Sequence, residues 1–254
     1  MKKSELEARY VEIIKSFIRA KVKEANAGGA VVGLSGGLDS AVTAKLCIEA
    51  LGNKNVLLLI LPGKITKWDD TKDAIEFAKT WKANYKVIDI SKIADNFVLE
   101  KATRKEYGNI QARVRMILLY FFANKLNYLV VGTGNKSERL VGYFTKYGDG
   151  ACDILPLGNL YKSQVRELAK GLGIHHKIIA KVPSAGLWKG QTDEKELGIS
   201  YKKLDMILMK LEKGLSCKEI AKELDLPSRE AERVKKMIES SEHKRALPAI
   251  PEVR

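Results

Sequence analysis

Between an apolar run, Ala30-Val31-Val32-Gly33-Leu34, and a helical pattern from Leu38 to about Leu51, the chain carries Gly33-Leu34-Ser35-Gly36-Gly37-Leu38-Asp39-Ser40. The apolar run is short and β-branched, as in a strand buried on both faces. Ala41, Val42, Ala44 and Leu46 behind the glycines keep helical spacing. Strand, turn and helix in this order set a helix N-terminus at the carboxyl end of a buried strand. Two glycines let the backbone come close to an anion, the Ser35 and Ser40 hydroxyls can donate, and the first helical turn offers N–H groups with a partial positive charge. The segment reads as a phosphate cradle or as a tight βα turn with a good N-cap. It is neither a Walker A sequence nor the Gly-x-Gly-x-x-Gly dinucleotide fingerprint.

The rest of the chain repeats the alternation. Val56 to Leu61, stopped by Pro62-Gly63, predicts a second buried strand, Asp70 to Trp81 a second helix, and Tyr85 to Ile90 a third strand. Ile110, Val114, Ile117, Leu118 and Phe121 mark a further helix, and Tyr128 to Gly132 a fourth strand. Strands alternating with helices imply a parallel sheet with right-handed crossovers, a doubly wound α/β fold. Ser4-Glu5-Leu6-Glu7 reads as a capping box opening an amphipathic helix that Gly28-Gly29 ends. From Thr133 to Gly150 the chain is rich in Gly, Lys and Asn and weakly periodic, which predicts a loop. Beyond Leu160 the pattern is helical. At about 100–200 residues per domain, 254 residues suit a single domain, here with a nucleotide-binding core over 1–160 and a mostly helical part over 161–254.

Composition narrows the chemistry. No stretch approaches the roughly 20 apolar residues of a membrane span, so a soluble cytoplasmic chain without a membrane partner is expected. Cys47, Cys152 and Cys217 form no paired motif, which argues against disulfides, thiolate zinc and dithiol redox work. The 45 Lys and Arg against 31 Asp and Glu, net +14, point to an anionic ligand: phosphates, a nucleotide or nucleic acid.

Ser-Gly-Gly-x-Asp-Ser after a first buried strand resembles the pyrophosphate loop of the ATP pyrophosphatases, which have an adenine-nucleotide α-hydrolase-like fold. The resemblance extends further. Asn109 to Arg115, Gly132-Thr133-Gly134-Asn135-Lys136-Ser137-Glu138, Gly142 to Gly150, Pro183 to Trp188 with Gly190-Gln191-Thr192-Asp193-Glu194, and His243-Lys244-Arg245 are similar to successive motifs of the ammonia-dependent NAD synthetases. Together they run from Gly33 to Arg245. The resemblance implies that deamido-NAD, ATP and ammonia give NAD, AMP and pyrophosphate through a nicotinyl-adenylate. Ammonia cannot displace oxide from a carboxylate, so the carboxylate must first be adenylated, and the departing pyrophosphate must be neutralised.

By the same resemblance ATP falls to Gly33, Leu34, Ser35, Gly36, Gly37, Leu38, Asp39, Ser40, Thr133, Lys162 and Ser184. Deamido-NAD falls to Arg113, Lys146, Asp153, His243 and Lys244, and magnesium (Mg2+) to Asp39 and Glu138, whose hard oxygens suit it. Each has an ordinary alternative. Either acid could be a cap or a solvated charge, Lys162 a first-turn surface lysine, and Arg113 a helix-surface ion-pair residue. Tyr143 and Phe144 could sandwich an aromatic ring or form a small satellite core. Asp149 is a candidate proton acceptor or a turn residue, and no catalytic base stands out. The resemblance further implies a homodimer with the dinucleotide site at its interface. Ammonia is the expected donor, since a fused glutaminase would need its own cysteine region and far more chain than precedes the first strand. Ile220 to Val234 has the look of a helix-turn-helix, equally a packing hairpin, and no nucleic-acid partner is expected.

Overall fold

The structure, a computed structural model, describes residues 3–253, with side chains from Ala8 onward, so the expected Ser4–Glu7 capping box lies outside the described side chains. The chain runs α1 (Lys3–Glu24), β1 (Gly29–Gly33), α2 (Leu38–Leu51), β2 (Val56–Ile60), α3 (Trp68–Thr80), β3 (Asn84–Val87), α4 (Ser91–Asp95), α5 (Arg104–Leu126) and β4 (Tyr128–Val131). It continues through α6 (Lys136–Val141), α7 (Lys162–Gly171), α8 (His176–Ile179), α9 (Asp193–Leu197), α10 (Tyr201–Glu212), α11 (Cys217–Leu224) and α12 (Ser228–Ser240).

The four strands pair in the order β3-β2-β1-β4, all parallel. Period-two alternation explains the layering: along β1, Ala30 and Val32 pack with α1, α2, α3 and α7, whereas Val31 packs on the opposite face with α4 and α5. Both faces are covered, as the apolar strand sequences require. The chain winds outward from β1 to β3, then crosses back to lay β4 on the other side of β1. Strand order therefore reverses between β1 and β4, and in open parallel sheets ligands bind outside the carboxyl ends at such a point.

Two boundaries differ instructively from the sequence pattern. The strand expected over Tyr85–Ile90 is β3, ending at Val87. It is an edge strand, and beyond it Ile88 and Ile90 donate to Ile60 and Pro62 carbonyls while the chain swings toward α4. The loop expected over 133–150 contains α6. Its start is a capping box in which Asn135 accepts from the Glu138 N–H and Glu138 accepts from the Asn135 N–H, and Gly142, at φ +69°, stops it in the left-handed region.

A second apolar cluster joins Val141 of α6 to Leu204, Ile207 and Leu208 of α10, Ile220 of α11, and Ala231 and Val234 of α12. The hairpin α11–α12 spends its apolar faces inside this cluster. In contrast α7, the first helix after residue 160, packs Val165, Leu168 and Ala169 onto the sheet layer.

Candidate active site at the strand-order reversal

The loop after β1 is ordered by its own hydroxyls. Ser40 Oγ donates to the Gly37 carbonyl at 3.0 Å and accepts from the Ser35 N–H at 3.2 Å, while Ser35 Oγ accepts from the Gly37 N–H at 3.2 Å. Gly36 sits at φ +77°, and a Cβ there would stand 2.2 Å from the Asp70 carbonyl oxygen, so a side chain is excluded by conformation and by space. The loop opens at the N-terminus of α2, where Gly37 is the N-cap without a side-chain cap bond.

Beside the loop, three chain segments meet on one ammonium. Lys162, in the first turn of α7 and 4% exposed, pairs its Nζ with Asp39 Oδ2 from α2 and, at 3.0 Å, with Glu138 Oε1 from α6. The first-turn surface lysine considered from sequence is thereby excluded. Burial alone opposes charge on Lys162, but the two carboxylates outweigh it and hold the ammonium above its ordinary range. Burial pushes the Glu138 carboxyl up to about 7, against the pull of Lys162 and with repulsion from Asp39.

The surrounding groups fix this triad. Asn135, fully buried, donates from Nδ2 to Asp39 Oδ1 at 3.0 Å while capping the helix that carries Glu138, so one side chain sets the spacing of both acids. Tyr201 Oη lies 3.2 Å from Glu138 Oε1 and 3.1 Å from Asp193 Oδ2. Asp205 of α10 accepts from Ser137 Oγ and from the Ser163 N–H at 2.8 Å, and Ser137 Oγ accepts from the Lys162 N–H at 3.0 Å. The helical cluster thus anchors the start of α7. Asn135, Tyr201 and Asp205 were not singled out from sequence; the Asn-x-x-Glu box directly after a buried strand was the available signal for the first.

The other expected positions fall into two groups. Thr133 follows β4 at the carboxyl end of the sheet, where the loop after the parallel neighbour β1 also emerges. Ser184 is turned to its own segment, donating to the Gln191 carbonyl at 2.8 Å and accepting from the Gly186 N–H at 3.1 Å. Arg113, Lys146, His243 and Lys244 are brought together: Arg113 donates to the Lys146 carbonyl at 3.3 Å, Lys146 Nζ to the His243 carbonyl at 2.7 Å, and Lys244 Nζ to the Gly142 and Phe144 carbonyls at 2.7 and 2.9 Å. Asp153 accepts from the Val130 N–H at 2.7 Å and from Tyr120 Oη at 3.1 Å, two helical turns along α5 from Arg113. Tyr143 takes the packing alternative, lying against the C-terminal cluster with its hydroxyl on Asp193 and Glu196. Asp149 accepts the Thr145 N–H at 2.8 Å, as a turn-closing residue does.

Two hard carboxylates side by side suit magnesium, which takes one or two protein carboxylates and completes its shell with water and substrate phosphates. Among the described residues no group of three or more His, Cys, Asp or Glu could hold a metal by itself. The donor set therefore fits a metal that arrives with, or is completed by, a nucleotide. Among the described residues no helix is long and apolar enough to cross a membrane.

A glycine-rich βα loop at the strand-order reversal, with paired acids and a lysine beside it, defines an adenine-nucleotide-binding α/β protein of the pyrophosphate-loop class. The family model for NAD synthase matches residues 10–248, and the chain belongs to that family. It is 51% identical over 249 residues to the NH3-dependent NAD+ synthetase of Methanocaldococcus jannaschii, with 96% of each chain covered. Its structure is similar to that of an NMN synthetase from Francisella tularensis (TM-score 0.87, 38% identity, 97% of this chain and 99% of the other). It is also similar to an NH3-dependent NAD synthetase from Campylobacter jejuni (TM-score 0.83, 36% identity, 97% and 99%).

Proposed function

We infer that this chain catalyses the ATP-dependent amidation of deamido-NAD with ammonia, giving NAD, AMP and pyrophosphate. The observation that carries this reading is the near end-to-end similarity to ammonia-dependent NAD synthetases. The reaction proceeds in two displacements. The nicotinate carboxylate attacks the α-phosphorus of ATP and releases pyrophosphate, leaving a nicotinyl-adenylate. Ammonia then attacks the acyl carbon and AMP departs, the nitrogen shedding a proton as the amide forms.

The loop residues Gly33 to Ser40 receive the phosphates through N–H groups, the Ser35 and Ser40 hydroxyls and the start of α2. Asp39 and Glu138 are the residues that would hold magnesium, which when bound supplies positive charge against the leaving pyrophosphate. Lys162, released from one carboxylate, can turn to a phosphate oxygen without leaving the site. Thr133 and Ser184 complete the ATP contacts. Arg113, Lys146, His243 and Lys244 supply cations for the two phosphates of deamido-NAD, and Asp153 an acceptor for ribose hydroxyls. These residues lie beside the outer face of α5, where Ile117 and Phe121 are 50% and 56% exposed. An apolar face at that place supports a homodimer whose interface adjoins the dinucleotide site. The chain works as one domain, because α2, α6, α7 and α10 all supply groups to the same triad or its supports.

The test is an assay of the purified chain with ATP, magnesium, ammonium and deamido-NAD. NAD and AMP in equal amounts are expected. Nicotinate mononucleotide forms the second arm, because the similarity to an NMN synthetase makes the size of the nucleotide the open specificity question. ADP as the main nucleotide product, or AMP release that needs tRNA, would overturn the assignment.

A further inference from the structure

Lys181 follows α8 and precedes Pro183-Ser184. Its Nζ donates to three oxygens: the Gly36 carbonyl at 2.9 Å, Asp70 Oδ1 at 2.7 Å and Asp73 Oδ2 at 2.8 Å. An ammonium has three protons, so all are engaged and none is left for a phosphate. Both acids lie in the N-terminal half of α3, the helix whose Asp70 carbonyl lies against Gly36. The Asp73 side chain is 2% exposed and also takes Lys177 at 2.6 Å, but Lys177 donates to Asp73 and not to the Gly36 carbonyl.

We propose that Lys181 is a positioning residue that fixes the Gly36–Gly37 peptide in the pyrophosphate loop with its N–H toward the anion. A trans peptide is planar, so its C=O and N–H point in opposite directions. With the Gly36 oxygen drawn to Lys181, the Gly37 N–H faces the other way, where it now donates to Ser35 Oγ. Gly36, lacking a Cβ and standing at φ +77°, has little intrinsic resistance to rotation of that plane. The reversed plane would aim a carbonyl dipole at the phosphates in place of a donor, turning an attractive contact into a repulsive one. Asp70 and Asp73 hold the ammonium where it must be to prevent this. Lys181 is also three residues from Ser184, so one side chain ties two proposed ATP-binding segments, 145 residues apart at Gly36 and Lys181, into one frame. The inference rests on the reading that this loop receives the pyrophosphate of ATP.

The experiment measures inorganic pyrophosphate binding to the full chain by calorimetry, together with KM for ATP and for deamido-NAD. Lys181→Met keeps the aliphatic stem and removes the donors; pyrophosphate affinity should fall and KM for ATP rise, each by about ten- to a hundredfold, with KM for deamido-NAD unchanged. Lys181→Arg should recover most of the loss. Lys177→Ala, which shares Asp73 but not Gly36, should leave pyrophosphate affinity at the wild-type value. A lower melting temperature in Lys181→Met with unaltered pyrophosphate affinity and ATP KM would show an ordinary α3–α8 staple and overturn the proposal, as would an equal effect from Lys177→Ala. Should Lys181→Met not fold, Asp70→Asn loosens the same ammonium, and the same split in smaller measure is required of it. Wild-type protein that binds pyrophosphate but makes no NAD would overturn the assigned reaction alone, whereas normal NAD synthesis with unaltered variants would overturn the role of Lys181 alone.

Discussion

Replacing Glu138 with Gln should make the protein more stable and nearly inactive. The triad places two carboxylates against one ammonium, with side-chain exposures of 16% for Asp39 and Glu138 and 5% for Lys162, so the buried group carries net negative charge. The Glu138 carboxyl, ordinarily at 4.5, is pushed up to about 7, mostly by burial. The sign follows from linkage. Below pH 4.5 the group is protonated in folded and unfolded chains and contributes no difference; between 4.5 and 7 the unfolded chain ionises first and stability falls; above 7 the full cost is present. That cost is on the order of 3 kcal/mol. Gln keeps one oxygen, for the Asn135 N–H that now meets Oε2, while its amide NH2 takes the place of Oε1 beside the Tyr201 hydroxyl, which can accept from it, and Lys162 is left balanced by Asp39 alone. After allowance for desolvating an amide and for lost attraction to Lys162, a gain of about 1–3 kcal/mol is expected at pH 8. For a chain of this size each kcal/mol moves the melting temperature by roughly 2–4 °C. Thermal unfolding with chelator present, at pH 8 and pH 5, is the assay, and the difference should shrink toward the lower pH. Turnover with magnesium should fall on the order of a hundredfold or more. A variant that melts lower than wild type at pH 8, or whose advantage is the same at both pH values, would refute the net-negative account of the triad.

Asp39→Asn should lower turnover on the order of a hundredfold or more, with the fold intact by circular dichroism; wild-type activity would reduce the acid to a helix cap. Lys162→Ala should raise KM for ATP more than for deamido-NAD, and Lys146→Ala the reverse, by about ten- to a hundredfold each in steady-state kinetics. Asp205→Ala removes the acceptor of Ser137 Oγ and the Ser163 N–H and should cost about 1–3 kcal/mol in denaturant unfolding. Phe121→Asp on α5 should yield a monomer by light scattering and raise KM for deamido-NAD more than for ATP.

The strand–loop–helix at Gly33–Ser40 was legible because it is local: the turn needs glycine, the strand needs apolar residues on both faces, and both requirements fall within a dozen positions. The four parallel strands were legible for the same reason. What sequence could not convey was the set of partners far along the chain. Asn135 meets Asp39 across 96 residues, Tyr201 meets Glu138 across 63, and Lys181 meets Gly36 across 145. The Thr133–Gly150 segment read as loop because its glycines and lysines mask a helix of only six residues, whose start depends on a reciprocal cap rather than on periodicity. Along α5 the 3.6-residue spacing revealed a face but not its environment. Val114 is buried while Ile117 and Phe121, counted in the same apolar set, are exposed.

The charge of the whole chain and the charge of the Asp39–Glu138–Lys162 triad have opposite signs, and the difference bears on how the substrates would enter. A net +14 draws polyanions to the surface without choosing among them. At the proposed ATP site, however, Asp39 and Glu138 outnumber Lys162, and ATP bound there would bring several further negative charges. Backbone N–H groups of one loop offset part of that repulsion, but their partial charges do not neutralise two carboxylates. On the proposed assignment the local field would favour ATP that arrives with a divalent cation over free ATP, so that the acids would select the charge state of the substrate as well as hold its metal. Lys162 then acts as the resident counterion of the site before substrate enters. It keeps two like charges within ion-pair distance of one ammonium; on the proposed assignment a divalent cation would take its place between the carboxylates while Lys162 turned to a phosphate oxygen.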